Sequence, residues 1–230
     1  MVSDNVISYV EMCRREGTSL QRGMNFGLRG SHSVILMSIR RNAPYRDRLE
    51  DSGTTLIYEG HDQPRTADCP NPKLLDQPER QPSGRLTQNG RFHQAAQDAK
   101  LGRRAPERVR VYEKLHEGIW SYNGVFHLVD SWCESDGHRF VFKFRLVAVE
   151  GDEDFEKAPN TLAERRRVIP TSVKLAVWKR DRGRCVVCDA TDELHFDHDL
   201  PWSKGGTSIT EENVQLMCAR HNLAKHDKII

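Results

Sequence analysis

The chain has 230 residues, of which 37% are hydrophobic and 30% charged, and its formal net charge is +2. This length allows one large or two modest domains with packed cores, and the longest apolar runs are far below the ~18 residues that a membrane-spanning helix needs. The composition therefore excludes the transmembrane class, and so small a net charge says little about nucleic-acid binding.

The amino-terminal residues have neither the basic stretch nor the apolar stretch of a secretory signal. Of the six cysteines, Cys13, Cys69 and Cys133 are widely scattered, which is typical of a chain that stays in a reducing compartment. We expect a cytoplasmic protein that does not act at a membrane.

The first 150 residues are predicted to be mainly β-structure. Residues 3–16 place apolar side chains near helical spacing, with Ser3 or Asp4 as a cap and Gly17 as a stop. Strands are predicted at residues 33–39, 54–58, 108–113, 124–130 and 139–149, and a helix at residues 92–100. Several strands with few helices predict a barrel-like or highly curved sheet domain over residues 1–150.

A long irregular excursion is predicted for residues 61–90, which hold five of the ten prolines. Residues 151–164 then carry five acidic side chains against one basic, so residues 151–169 are predicted to be a linker. Residues 170–181 are predicted to form a helix, capped by Thr171 or Ser172 and closed by Gly183. It opens a second domain, residues 170–230.

Two pairs of metal-binding side chains lie in this second domain, and the members of each pair are three residues apart. Cys185 and Cys188 form the first pair, and Cys218 and His221 the second. Four such ligands predict one structural, tetrahedral zinc site with no open position. A zinc ribbon that only folds a small module is one interpretation of this spacing.

A second polar set lies between and after these ligands: Asp197, His198, Asn213 and Asn222. A carboxylate beside an imidazole, with an amide after the last zinc ligand, supplies oxygen ligands for Mg²⁺ or Mn²⁺ and a base that works near neutral pH. These are the groups that metal-assisted phosphodiester hydrolysis requires. A ribbon that only binds zinc does not need them.

With Asp197-His198, Pro201, Gly205-Gly206, Asn213 and the run Cys218-Ala-Arg-His221-Asn222, the last fifty or so residues resemble an HNH endonuclease of the zinc-bound ββα-metal type. The resemblance implies that His198 is the general base and that Asp197 and Asn222 hold the catalytic ion. Asn213 matches the middle residue of the motif, to which we give a structural role. His226 is a rival to Asn222 for the third position, and His221 stands where many relatives carry a fourth cysteine.

The first domain is similar to the SRA (YDG) family over about residues 18–150. The matches are many, short and in the family's order: Ser33-Val-Ile-Leu, Tyr45, Gly53, Tyr58-Glu-Gly60, Asp76-Gln77, Val109-Arg-Val, Tyr122-Asn-Gly124, Trp132 and Phe142-Lys-Phe-Arg-Leu146. The resemblance implies a PUA-like barrel that flips a modified cytosine out of duplex DNA. Tyr-Asn-Gly replaces the family's Tyr-Asp-Gly, and Tyr-Glu-Gly replaces the Tyr-Thr-Gly at its pocket.

By this resemblance, Tyr45 and Tyr58 hold the flipped base between their rings. Asp47 would accept a hydrogen bond from the cytosine amino group, with Glu50 and Asp51 as rivals because the segment is one residue longer than usual. From the residues alone, both tyrosines are predicted to be ordinary core residues of a β domain, because aromatic side chains of strands mostly pack.

The two halves together predict a modification-dependent restriction endonuclease, of bacterial origin, that acts on double-stranded DNA carrying 5-methylcytosine or 5-hydroxymethylcytosine. Its cofactors would be one structural Zn²⁺ and a catalytic Mg²⁺ or Mn²⁺. Whether the protein forms a homodimer is left open. One alternative is a non-catalytic reader of modified DNA with a structural zinc module. Another is an HNH nuclease that senses a different modification, such as phosphorothioate.

Overall fold

The computed structural model describes residues 5–149, 169–199 and 210–225, without the side chain of Ser52. The predicted linker lies outside these residues except for Ile169, which is fully buried. Pro201, the Gly205-Gly206 pair and the rival ligand His226 lie outside them too. The domain boundaries at 150 and 169 therefore stay predictions.

Eight strands of the described residues form one sheet, in the order β2-β3-β6-β7-β8-β5-β4, with β1 paired to β7. The strands are β1 Val6–Ser8, β2 Met24–Leu28, β3 His32–Met37, β4 Arg48–Glu50, β5 Thr55–Glu59, β6 Glu107–His116, β7 Ile119–Ser135 and β8 Phe140–Ala148. Strands β3 and β6 run parallel, and the other neighbours run antiparallel. The predicted strands are present, and β7 is much longer than expected.

The central strands are bent by irregularities in their register. The pairing of β6 with β7 shifts between Val111 and Tyr112, and the pairing of β7 with β8 shifts between Leu128 and Asp130. Because each bulge bends its strand and increases the local twist, these shifts favour the strongly curved sheet that the sequence predicts.

Two helices flank this sheet. Helix α1, Tyr9–Glu16, begins after Ser8, whose hydroxyl accepts a hydrogen bond from the Glu11 N–H, and ends at Gly17. The predicted cap at Ser3 or Asp4 is wrong, because residues 6–8 pair with β7 as a strand before the helix begins. Helix α2, Gln88–Lys100, is capped by the Thr87 hydroxyl.

The main core lies between helix α2 and the sheet. Phe92 and Ala96 of α2 are fully buried against Phe126 and Phe144 of the sheet. The rings of Phe92 and Phe144 meet edge to face, with their centroids 5.9 Å apart. This layer of helix on curved sheet is the body of the first domain.

The carboxyl-terminal unit has helix α3, Thr171–Arg180, a hairpin of β9, Leu194–His198, and β10, Val214–Cys218, and helix α4, Ala219–Lys225. The predicted cap of α3 is wrong: its cap residue is Pro170, and no side chain bonds the first turn. The Thr171 hydroxyl instead donates to the Glu113 carboxylate in β6. Gly183 follows α3 at φ +63°, where an added Cβ would clash with the Trp178 ring.

One apolar cluster joins this unit to the first domain. Its buried members from the carboxyl-terminal unit include Val173, Val177 and Phe196, and Leu115 of β6 packs with them. Beside it, Lys174 of α3 is fully buried and pairs with Glu113 at 3.1 Å. The predicted α+β class is confirmed: a sheet domain with flanking helices precedes a small β-hairpin and helix unit.

Candidate functional site

The four predicted zinc ligands lie together at the base of the hairpin. Cys185 and Cys188 belong to the turn after α3, Cys218 ends β10, and His221 lies in the first turn of α4. Their ligand atoms all lie within 4.8 Å of one another. The structure therefore brings the whole predicted set into one cluster.

The spacing of these atoms fits a tetrahedral zinc ion. The Sγ atoms of Cys188 and Cys218 are 3.8 Å apart, and the His221 Nδ1 lies 3.6 Å from the Cys185 Sγ and 3.3 Å from the Cys218 Sγ. Ligand atoms around one tetrahedral zinc lie roughly 3.5 to 3.8 Å apart, given the usual zinc–ligand bond lengths. The donor set fits Zn²⁺ in its chemistry, these three separations lie close to that range, and no two of the four ligand atoms are more than 4.8 Å apart.

The environment of Cys185 favours its thiolate. Burial alone would raise the pKa of the Cys185 thiol, but backbone N–H groups of Cys218, Val187 and Cys188, together with the His221 ring, lower it to about 6. Because a thiolate is the form that binds metal, this thiol is prepared to be a ligand at neutral pH.

Asp197 and His198 are the last two residues of β9. They pair with Gln215 and Val214 of β10, at the end of the hairpin opposite the cysteine of β10. Beyond this pair, the Asp199 N–H donates to the Asn213 carbonyl at 2.9 Å, so Asn213 anchors the strand ends where the loop begins. This contact is made by the backbone of Asn213, so the structural role of its side chain stays a prediction.

Helix α4 contacts this strand end through Lys225, whose Nζ lies 2.5 Å from the Asp197 Oδ2 and 2.5 Å from the His198 carbonyl. Asn222 lies three residues before Lys225 on the same helix and directly after the predicted zinc ligand His221. The structure thus brings Asp197 and His198 together with helix α4, and the role of Asn222 as a ligand stays a prediction.

The oxygen atoms of Asp197 and Asn222 are donor groups of the kind that a divalent cation prefers. The Asp197 Oδ2 is taken by Lys225, and the carboxylate keeps a second oxygen as a ligand atom. A carboxylate oxygen and an amide oxygen are ligands that Mg²⁺ accepts while it keeps several waters. The residues present therefore fit Mg²⁺ or Mn²⁺ at Asp197 and Asn222.

In the first domain, Tyr45 lies half-buried in an aromatic cluster. Its ring stacks on that of His61, with centroids 4.8 Å apart and an angle of 11° between the planes. The Lys73 Nζ lies 4.0 Å from the Tyr45 centroid and 3.1 Å from the Asp62 carboxylate. Tyr45 therefore already stacks on another ring of the protein.

Tyr58 lies deeper and is only 1% exposed, within the main core. Its hydroxyl lies 2.8 Å from the His61 Nε2, so the imidazole contacts both predicted pocket tyrosines. The His61 ring also packs against the backbone of Gly23, where an added Cβ would lie 2.6 Å from the His61 Cε1. Burial lowers the pKa of His61 to about 4, so the ring is neutral at physiological pH.

Asp47 joins the start of the loop that carries Tyr45 to the end of strand β5, which carries Tyr58. Its carboxylate accepts hydrogen bonds from the Ser38 N–H at 3.0 Å and the Glu59 N–H at 3.1 Å. Burial raises the pKa of Asp47 to about 7 despite these two donors. The rival carboxylates are engaged elsewhere: Glu50 bonds Arg48, and Asp51 accepts from the Thr55 hydroxyl.

Asp47 also lines a cavity of about 580 Å³ at the junction between β4 and the start of α3. Its wall includes Arg40, Arg48, Leu49 and Leu175. Neither pocket tyrosine belongs to this wall among the described residues. The aromatic cluster and the cavity are therefore two separate features that share Asp47.

Two residues of the sites were missed by the sequence analysis, His61 and Lys225. His61 follows directly on Tyr58-Glu-Gly60, and its backbone is bonded on both sides by the Asn89 side chain. Lys225 is three residues beyond Asn222, and its side chain is fully buried. Neither residue stands out in the sequence, because the contacts that hold it in place are made with residues about 28 positions away along the chain.

None of the helices in the described ranges combines the length and the apolar character that crossing a bilayer requires.

In a comparison with known proteins, residues 185–228 near the carboxyl end match the HNH endonuclease family. Over 143 residues, or 61% of the chain, the protein is 27% identical to the histone-lysine N-methyltransferase family member SUVH2 of Arabidopsis thaliana. The chain spans only 20% of the length of that relative.

Similar solved structures include SUVH5 SRA with hemi-methylated CG DNA, at a TM-score of 0.46 and 22% identity, over 68% of this chain and 93% of that one. SUVH5 SRA with fully hydroxymethylated CG DNA has a TM-score of 0.43 and 22% identity, over 69% of this chain and 93% of that one. The HNH prediction is confirmed by the family match. The protein thus carries a segment that matches the HNH endonuclease family behind a region that is similar to SUVH2 and to SRA structures.

Proposed function

We propose that this protein is an endonuclease that cuts double-stranded DNA in response to a modified cytosine. One observation carries the proposal: a segment that matches HNH endonucleases, with Asp197 and His198 at its strand end, packs on one core with a domain that resembles modified-cytosine readers. In a protein built in this way, the reader domain would select the DNA that the nuclease unit cuts.

In this proposal, His198 takes a proton from the water that attacks the phosphorus, because an imidazole accepts protons near neutral pH. Asp197 and Asn222 would hold Mg²⁺ or Mn²⁺, which neutralises charge that develops on the phosphate oxygens. The cluster of Cys185, Cys188, Cys218 and His221 would hold Zn²⁺ and keep the hairpin and helix α4 together.

The reader would bind a flipped 5-methylcytosine or 5-hydroxymethylcytosine with Tyr45, Tyr58 and Asp47. Flipping costs a few kcal/mol, which stacking and hydrogen bonds in the pocket repay. Since the His61 ring stacks on Tyr45, it has to leave that face before a base can stack there. Base entry would therefore include a rotation of the His61 side chain.

The test is a cleavage assay with the purified full chain, Mg²⁺ or Mn²⁺, and three duplexes of one sequence that carry unmodified cytosine, 5-methylcytosine or 5-hydroxymethylcytosine. We expect cutting of a modified duplex and little cutting of the unmodified one. The control is His198→Ala, which should lose cleavage by several powers of ten while it keeps zinc and DNA affinity, because the base acts on the transition state.

Other outcomes separate the alternatives. Selective binding of modified duplex without cutting would indicate a non-catalytic reader, and equal cutting of all three duplexes would indicate an HNH nuclease that senses something else, for which a phosphorothioate duplex is the next substrate. Restriction of foreign DNA in a bacterial cytoplasm, by one chain or a homodimer, stays a prediction.

A further inference from the structure

We infer that Lys225 is a positioning residue of the HNH site: it fixes the Asp197 carboxylate and the end of strand β9, and so sets where His198 is presented. This inference rests on the proposed nuclease function and adds a residue to its site. The contacts that carry it belong to helix α4 and strand β9.

The first observation is the burial of a positive charge. The Lys225 side chain is fully buried, and Asp197, its ion-pair partner at 2.5 Å, is 16% exposed. An ammonium group is expensive to remove from water unless it is paired and hydrogen-bonded. Lys225 therefore directs its charge to the end of strand β9 and not to solvent.

The second observation concerns which atoms the ammonium group contacts. One donor goes to the Asp197 Oδ2 and one to the His198 carbonyl, each at 2.5 Å. The carboxylate is thus held by one oxygen, which leaves its other oxygen as a ligand atom. A single side chain ties together the proposed metal ligand and the backbone of the proposed base.

The third observation is that the same peptide group is held a second time, by the residue that precedes β10. The Asp199 N–H donates to the Asn213 carbonyl at 2.9 Å. Lys225 and Asn213 thus hold the carbonyl and the N–H of the one peptide bond that follows His198. Displacement of a catalytic group by about 1 Å is enough to cost roughly a hundredfold in rate.

The experiment compares wild type with Lys225→Met, which keeps much of the side-chain volume and removes the charge and both hydrogen bonds. Mn²⁺ affinity is measured by electron paramagnetic resonance on zinc-loaded protein without DNA. Removing a cation beside a ligand carboxylate should tighten Mn²⁺ binding by roughly tenfold. Cleavage at saturating Mn²⁺ should fall by about ten- to a hundredfold, because Asp197 and His198 lose their anchor.

Opposite shifts in metal affinity and rate distinguish positioning from simple damage, since a partly unfolded site would lose both. Lys179→Met is the matched control: it removes an exposed positive charge from helix α3 and should change neither quantity. If Lys225→Met folds poorly, Lys225→Gln keeps an N–H donor at a similar reach and should show the tighter Mn²⁺ binding with a smaller loss of rate.

Unchanged cleavage in both Lys225 variants, or weaker Mn²⁺ binding with zinc still bound, would overturn the inference. A wild type that cuts no DNA would instead reject the proposed function. The Mn²⁺ comparison would still report on the Lys225 contact in that case, so the two failures are distinguishable.

Discussion

His61 and Asp47 are two half-buried titratable residues near strand β5 that respond to pH in opposite directions. Burial lowers the pKa of His61 from its ordinary 6.5 to about 4, and burial raises the pKa of Asp47 from 3.8 to about 7. His61 is neutral when folded but gains a proton when unfolded between these values, so its contribution to stability is lost as pH falls. Asp47 keeps its proton when folded but loses it when unfolded, so its contribution is lost as pH rises.

We therefore predict opposite pH profiles for two variants. Relative to wild type, His61→Gln should gain stability as pH falls from about 6.5 to 4, by up to about 3 kcal/mol. Asp47→Asn should gain relative stability as pH rises from about 4 to 7, because it has no carboxyl group whose ionisation favours the unfolded state. Urea denaturation across this pH range measures both differences.

The charged neighbours set the conditions for this comparison. His61 faces Asp62, Lys73 and Arg22, and both groups face Glu59, so these residues stay unchanged in each variant. If the two variants showed parallel pH profiles instead, the opposite pKa shifts of His61 and Asp47 would be contradicted.

Tyr45 is the residue whose removal tests the proposed base pocket. Stacking of a base on an aromatic side chain is worth ~1 to 3 kcal/mol, so Tyr45→Ala should weaken binding to modified duplex by roughly ten- to a hundredfold. Binding to unmodified duplex should barely change, because phosphate contacts hold it. Paired titrations with duplexes that differ only in the cytosine modification measure the effect.

His61→Ala is the companion variant, since it uncovers the Tyr45 face without removing it. We expect severalfold tighter binding to the modified duplex. Weaker binding by a folded His61→Ala protein would instead make His61 part of the recognition surface, and equal wild-type affinity for both duplexes would remove the reader proposal.

At the scale of elements, the Cys3His cluster connects the turn after α3, the end of β10 and helix α4, and we predict that these elements need a zinc ion to stay folded. Cys188→Ala should lose the zinc and unfold the hairpin and α4, because folding of such small modules is coupled to metal binding. Cys188 is exposed, so the change leaves no cavity in the core. Zinc analysis and thermal unfolding measure the loss.

Cys133→Ala is the matched control, as it removes another exposed thiol from strand β7. It should keep one zinc per chain. A wild type that is fully folded without zinc would contradict the structural role of the cluster.

At the scale of the whole molecule, a buried polar network joins α3 to the sheet. The Lys174 Nζ lies 3.1 Å from the Glu113 carboxylate and 2.6 Å from the Asn123 side-chain oxygen, and the Asn123 amide donates to the same carboxylate at 3.0 Å. Together with the shared apolar cluster, these bonds make the carboxyl-terminal unit and the first domain one packed body.

Lys174→Met should destabilise the protein by about 3 to 5 kcal/mol, because it leaves the Glu113 carboxylate buried without its cation. Adding Glu113→Gln should recover part of this loss, since the double variant buries no uncompensated charge. Urea denaturation of both variants and of the exposed Lys179→Met control measures the coupling. Additive losses in the double variant would mean that the pair does not interact.

The sequence by itself determined what depends on local spacing and pattern. Pairs of ligands three residues apart identified the zinc cluster, because a turn and the first turn of a helix present such residues to one point. Alternating β-branched and aromatic residues identified β6 and β8, and Gly17 marked the end of α1. Asp197 and His198 could be predicted as parts of one site because consecutive residues stay close together in any fold.

Only the tertiary structure decided the features that depend on partners distant in sequence. Residues 6–8 became a strand because β7 was available to pair with them, and Thr171 became a contact to Glu113 instead of a helix cap. In the same way, His61 covers Tyr45, and Lys225 reaches Asp197 across 28 residues. These contacts join buried charged groups and rings to residues that only folding brings close, so no local pattern of residues predicts them.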